Sequence, residues 1–228
     1  MNAPYRIHND EAVHARLLSD PLYQVAPYLR VLVLGDPRFL GPEPLAYSIN
    51  ESVTAAVCVR TGPAADGAVI LGKRHAHAWG TTKQDLWFTA LRNMATETYD
   101  LKVFQAADTV LNVVTGHGWP GTAHVMRLVE LSADPMPYGA LAMLPSPNTL
   151  MFAPLRSRRS MSVVAFMWET FQELARGGMP VTDQIVWWRG GTVMAIRTEP
   201  APPQDGRPGV RLNAPAEFGR MVEEELPA

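Results

Sequence analysis

Apolar and polar positions along the chain fall into two periods. "YLRVLVLG" (Tyr28 to Gly35) is apolar and β-branched enough for a buried strand. "VTAAVCVR" (Val53 to Arg60) and "AVILGKRHA" (Ala68 to Ala76) predict two more, joined as a hairpin by the turn residues of "TGPAADG". Further strands are predicted over Leu101 to Phe104, Thr109 to Thr115 and His124 to Leu131. "GALAMLPSPNTLMFAPL" reads as a hairpin turning at "PSPN", and "QIVWWRGGTVMAI" as another with "RGG" at its tip. Helical spacing shows up to about Ser19, with Val13, Leu17 and Leu18 on one side. Thr81 is expected to cap a second helix, with Gln84 reaching back to it, and that helix shows Leu86, Trp87, Ala90, Leu91 and Met94 on one face. A third helix is expected to start at Ser160 and bury Met161, Val164, Ala165, Trp168, Phe171 and Ala175. Gly177 and Gly178 end it, and Pro180 prevents its resumption. A short last helix, about Ala216 to Leu226, docks by Phe218, Met221 and Val222.

Hairpins and helices without regular β-α-β alternation predict an α+β fold, a mixed, largely antiparallel sheet packed against two main helices. The core is expected over residues 51–198. Residues 1–50 form an N-terminal extension of helix, strand and loop, the loop being the proline-rich "DPRFLGPEP". From Pro200 onward, "PAPPQDGRPG" reads as a linker, so 199–228 is a Pro-rich linker and the short helix.

Composition narrows the partners. With 47% hydrophobic and 18% charged residues, a chain of 228 can bury a sizeable core. A net charge of −2 argues against nucleic acid, which calls for a concentrated basic face. One cysteine, Cys58, excludes an internal disulfide and a cysteine zinc cluster, and its alternating strand is expected to turn it into the core. There is no signal-like apolar stretch at the start and no apolar run of membrane-spanning length. The expectation is a cytoplasmic protein of bacterial type, without cofactor and without membrane contact.

Three stretches carry a resemblance: "HAWGTTKQDLWFTALRNM", "LAMLPSPNTLMFAPL" and "VTDQIVWWRGGTVMAI". Together, over about Val53 to Ile196, the chain resembles the DUF1444 (YtpQ-like) family of bacterial proteins of unknown function. The match lies in a "WG" turn before a helix, a hairpin with a polar turn, and a closing hairpin of aromatics with a glycine tip. It implies a fold and transfers no catalytic residue.

Candidate chemistry begins at "KRHAHAWGTTKQDLW" (Lys73 to Trp87). On a strand, His75 and His77 point to one face and supply two of the three ligands of a zinc site, with His117 as the third and His124 nearby in sequence. The alternative is architecture, a strand end running into its helix. Asp85, in the first helical turn, either completes a catalytic set with His75 and His77 or serves the helix terminus. Arg156, Arg158 and Arg159 precede the Ser160 helix, where backbone N–H groups and guanidinium forks favour an anion. Glu169 and Glu173, four apart, read as a solvated face. Trp187 and Trp188 must face opposite ways, which offers Trp188 to a partner.

Two functions follow. One is a non-catalytic binding or accessory protein, contacting a protein or a small acidic ligand through Arg156, Arg158, Arg159 and Trp188. The alternative is a small-molecule enzyme, a hydrolase or cyclase, using His75, His77 and Asp85 with or without a metal.

Overall fold

The strand Val53–Thr61, β4, must be buried on both faces, because seven consecutive residues from Val53 are apolar or small. In the computed structural model it is. The structure describes residues 6–8, 10–35, 37–61, 67–106, 108–133, 135–176, 180–204 and 207–228. One edge of β4 (Val53–Thr61) pairs antiparallel with β2 (Leu29–Leu34), from Leu29 opposite Val59 to Leu34 opposite Thr54. The other edge takes two short strands end to end, β3 (Ala46–Asn50) beside the first half and β5 (Gly67–Ile70) beside the second. Strand β1 (Arg6–Ile7) adds to β5 in parallel. The strands of residues 1–50 are thus members of this five-stranded sheet.

A second sheet has seven strands, all antiparallel. Its order is β12 (Arg207–Asn213), β11 (Thr192–Gln204), β10 (Thr182–Arg189), β8 (Ala140–Ser146), β9 (Thr149–Pro154), β7 (Thr109–Gly116), β6 (Tyr99–Ala106). The β8–β9 hairpin turns at Pro147 and Asn148. The β10–β11 hairpin closes through Gly190 and Gly191 at φ 55° and 84°, so both central positions are left-handed, the conformation whose twist matches a two-residue hairpin. The fold is therefore α+β, as the hairpin pattern predicts, with the strands divided between two sheets. The 62–66 turn, and Gly177 and Gly178 as helix terminators, lie outside the described residues.

Two local expectations are corrected. The stretch from Pro200, read as a linker, forms strands: Thr198 pairs with Leu212 and Pro200 with Val210. Proline content hid an alternation in which Val210 and Leu212 turn onto the helix-covered face. Residues 124–131, read as a strand, are helical: a 3-10 helix over Gly121–Arg127 followed by a short α-helix over Leu128–Leu131. Val125, Leu128 and Leu131 are all buried, and their spacing of three is that of a helix.

Each face of the second sheet builds a separate core. Ala140, Ala142, Leu150, Phe152, Val186 and Trp188 face the first sheet. That same core takes in the helix Lys83–Met94, which buries Leu86, Trp87, Ala90 and Met94. Leu141, Met143, Met151, Ile185 and Trp187 face the helix Val163–Ala175 and the C-terminal segment. Phe218 packs edge-on against Trp187 at 5.1 Å between ring centres, and Met221 is buried beside it, so the last helix docks by residues chosen from its period. Among the described residues no helix is long and apolar enough to cross a membrane.

Candidate functional site

The histidine pair is settled by where β5 stops. That strand ends at Ile70, and Lys73–Ala78 is a short helix with Gly72 as its N-cap. At two helical positions apart, side chains diverge by about 200° instead of sharing a face. His75 is accordingly buried and His77 exposed. The shared-face geometry expected of a metal pair is thus absent.

His75 meets a residue that sequence spacing did not suggest, His14 of the helix Glu11–Ser19. Its Nε2 lies 3.2 Å from Nδ1 of His14. The backbone N–H of Gly72 donates to Nδ1 of His75 at 3.0 Å. Nδ1 of His75 also lies 3.3 Å from the Gly72 carbonyl, so the ring is anchored on both backbone groups of Gly72 and reaches His14 through Nε2. Burial lowers the pKa of His75 to about 4 and holds that of His14 below its usual value. Both rings are therefore neutral at pH 7. Above them Arg74 grips Glu11 with two bonds, 2.6 and 3.0 Å, which lowers the pKa of the carboxyl. The adjoining cavity is small, about 70 Å³.

Asp85 caps its helix. Thr82, one position later than expected, is the N-cap; its Oγ accepts from the Asp85 N–H at 3.1 Å and donates to the Asp85 carboxylate at 2.6 Å. Thr82→Ala should lower stability by about 1 kcal/mol, read as a shift in the denaturation midpoint. An unchanged midpoint would contradict the capping role. His117 pairs with Asp100 at 2.9 Å. His124 is buried against Tyr99, ring centres 4.9 Å apart, and burial pulls its pKa to about 4. Among the described residues no three His, Cys, Asp or Glu side chains gather to hold a metal ion, so His75, His77 and His117 do not converge. Cys58 is buried in β4, and burial pushes its thiol well up, away from nucleophilic use.

The arginine loop holds its own anion. Ser160 sits inside a 3-10 turn, Arg158–Ser162, capped by Ser157; the α-helix begins at Val163. Ser160 Oγ donates to Asp108 Oδ1 at 3.0 Å, and Ser157 Oγ donates to Asp108 Oδ2. Burial alone would raise the Asp108 pKa, but these two hydroxyls, with Arg159 nearby, hold it low. A carboxylate of the chain thus stands where an outside anion was expected. Arg156, Arg158 and Arg159 are exposed, and Arg158 reaches the Glu223 carbonyl at 2.5 Å. Trp188 is 8% exposed and lies in the core between the sheets, so it offers no outer surface; the sheet is covered on both faces at this strand, which an isolated strand pattern does not reveal.

Sequence reasoning missed an open groove of about 860 Å³. Leu17, Asp20, Tyr23, Gln24, Val25, Pro27 and Tyr28 line it from the N-terminal helices, and Val59 and Arg60 from β4. Tyr23 is 74% exposed and Tyr28 53%. Arg60 is held from behind by Glu97, at 3.2 Å from Nη1. Glu97 also accepts from Arg30 Nε at 2.5 Å, and Arg30 donates on to the carbonyls of Pro27 and Leu29 at 2.8 Å. This ion cluster fastens the turn that carries Tyr28 to β2. The signal was present as "YQVAPYLR", tyrosines flanking a proline just before a strand, but only the pairing of β2 with β4 brings Arg60 to them.

No family model, no curated protein and no solved structure matches the chain.

Proposed function

We propose that this chain is a binding or accessory protein, and that it takes an extended acidic segment of another polypeptide in the groove of Tyr23, Tyr28 and Arg60. The observation carrying this reading is that two solvent-facing tyrosines and an arginine braced by Glu97 line one open cleft. Its volume falls within the range of about 300–1,000 Å³ usual for ligand sites. Tyrosine brings a large amphipathic face to a contact at small entropic loss. The Arg60 guanidinium, held by Glu97, brings a positive charge to the groove wall. Asp20 also lines the groove and disfavours a second carboxylate beside it. The acid–base reading of His75 has less support, because the cavity beside it, about 70 Å³, is well below the size usual for ligand sites. We also read the chain as a relative of the DUF1444 family, supported by two of the resembling stretches forming the hairpins β8–β9 and β10–β11.

The test uses a fluorescein-labelled decapeptide of alternating glutamate and proline, with lysine for glutamate as the control. The acidic peptide should bind in a fluorescence anisotropy titration and the basic one should not. Tyr28→Ala should weaken binding about tenfold, or ~1.4 kcal/mol. Arg60→Met, which removes the positive charge from the groove wall, should weaken it as well. No binding, or binding untouched in a Tyr23→Ala/Tyr28→Ala double variant, would refute the assignment. Loss of binding on replacing Arg156, Arg158 and Arg159 instead would move the site to their loop.

A further inference from the structure

The seven-stranded sheet ends at β6, and this strand is open along its whole length. All residues from Asp100 to Gln105 are exposed. Among them are Leu101 at 41%, Val103 at 56% and Phe104 at 44%. Among the described residues no strand pairs with its outer edge. Natural edge strands are usually shortened, bulged, charged or covered, since an open edge is a template for another strand; of these devices β6 carries the charges of Asp100 and Lys102. β6 pairs with β7 without a bulge over eight residues.

We propose that the occupant of this edge is β6 of a second copy, joined antiparallel about a two-fold axis with Leu101 opposite Leu101. The backbone supplies the first argument. The His117 N–H donates to the Thr98 carbonyl at 3.0 Å, and these residues continue the β6–β7 register. Even-numbered residues of β6 therefore turn their N–H and C=O groups toward β7, and Tyr99, Leu101, Val103 and Gln105 turn theirs outward. A two-fold axis through the Leu101 pair sets Tyr99 against Val103 of the second copy. Outward-facing groups then meet outward-facing groups throughout.

Side chains supply the second argument, and they choose the register. A two-fold axis normal to the sheet requires one residue to lie opposite its own copy. Centring on Asp100 or Lys102 puts like charges in contact, which is destabilising. Centring on Val103 sets Lys102 against Phe104. Centring on Leu101 sets Asp100 of each copy against Lys102 of the other, in the close non-hydrogen-bonded positions. The same register gathers Tyr99, Leu101 and Val103 of both copies into one ladder on the opposite face. Apolar matching, charge matching and hydrogen-bond parity thus agree on a single pairing. The contact is narrow compared with the ~1,200–2,000 Å² of stable interfaces, so the dimer is reversible and depends on concentration.

Sedimentation equilibrium across a concentration series should show mass rising from 25.1 kDa toward twice that value. Leu101→Pro removes an outward N–H without touching the β7 ladder and should abolish the rise. Asp100→Lys and Lys102→Asp should each weaken association at least about tenfold, and the double exchange should restore it to within about threefold. Thermal melts of each variant establish that it is folded. Hydrogen exchange should show the outward amides of residues 99–105 protected only at high concentration. A monomer at every concentration would overturn the proposal, as would a dimer that survives Leu101→Pro or a double exchange that fails to rescue. None of these substitutions touches the tyrosine groove, so the outcome is independent of the peptide test.

Discussion

Glu97→Ala should destabilise the protein by about 3–5 kcal/mol. The Glu97 side chain is 6% exposed and the Arg30 side chain 9%. Removing the carboxylate strands a buried guanidinium in a place where water cannot replace the lost partner. Arg30 keeps its bonds to the Pro27 and Leu29 carbonyls, but these are dipoles and do not neutralise it. Since typical domains are stable by about 5–15 kcal/mol, the loss is a large share of the total. Arg30→Met should cost less, because Glu97 retains Arg60 at 3.2 Å. The double variant Arg30→Met/Glu97→Ala should be more stable than Glu97→Ala alone, the signature of an uncompensated charge rather than of lost packing. Urea midpoints at constant slope measure all three. A loss below about 1 kcal/mol would place this pair with exposed salt bridges. The same substitution removes the Glu97 contact that holds Arg60 at 3.2 Å, so peptide affinity should fall with it.

Strands with clear alternation and helices with a strong apolar face were legible in the sequence. β2, β4, the β8–β9 and β10–β11 hairpins, and the Leu86–Met94 stripe all lie where their periods place them. What failed was local ambiguity. "AVILGKRHA" has no residue that tells a strand from a strand followed by a helix, yet that choice decides whether His75 and His77 share a face. Thr81 and Thr82 are chemically equivalent caps, and the pairing with Asp85 rather than Gln84 selects the second. The site failed for a different reason. His14 and His75, Arg60 and Tyr28, and Asp108 and Ser160 are distant in the chain, so their meetings are decided by sheet pairing and helix docking. Pattern along the sequence carries no trace of them. It also cannot distinguish a strand covered on one face from one covered on both, which is why Trp188 was expected outside.

Acidification from pH 7 to 5 should remove roughly 4 kcal/mol of stability, about 2 kcal/mol from each of two histidines. His75 and His124 are buried and neutral in the folded chain, each with a pKa lowered by burial to about 4. In the unfolded chain an imidazole titrates near 6.5. The folded state therefore resists a proton that the unfolded state accepts, and stability is complete above about pH 6.5 and declines as pH falls toward 4. His14, lowered in the same direction, adds to the slope. The carboxylates with lowered pKa, Glu11, Asp108, Glu130 and Glu225, release their stabilisation only below their ordinary range near 4–4.5. The window from pH 6.5 to 5 thus belongs to the histidines. His124→Phe separates their shares. Neither ring nitrogen of His124 has a hydrogen-bond partner among the described residues, so phenylalanine sacrifices no bond and keeps the edge contact with Tyr99. Its stability at pH 7 should equal or exceed that of the parent, and its mean slope between pH 7 and 5 should fall by about 1 kcal/mol per pH unit. His75→Phe should behave differently: it strands the Gly72 N–H and the His14 Nδ1, so it loses stability at pH 7 while also flattening the slope. Denaturation midpoints that stay level from pH 7 to 5 would contradict the burial of both rings.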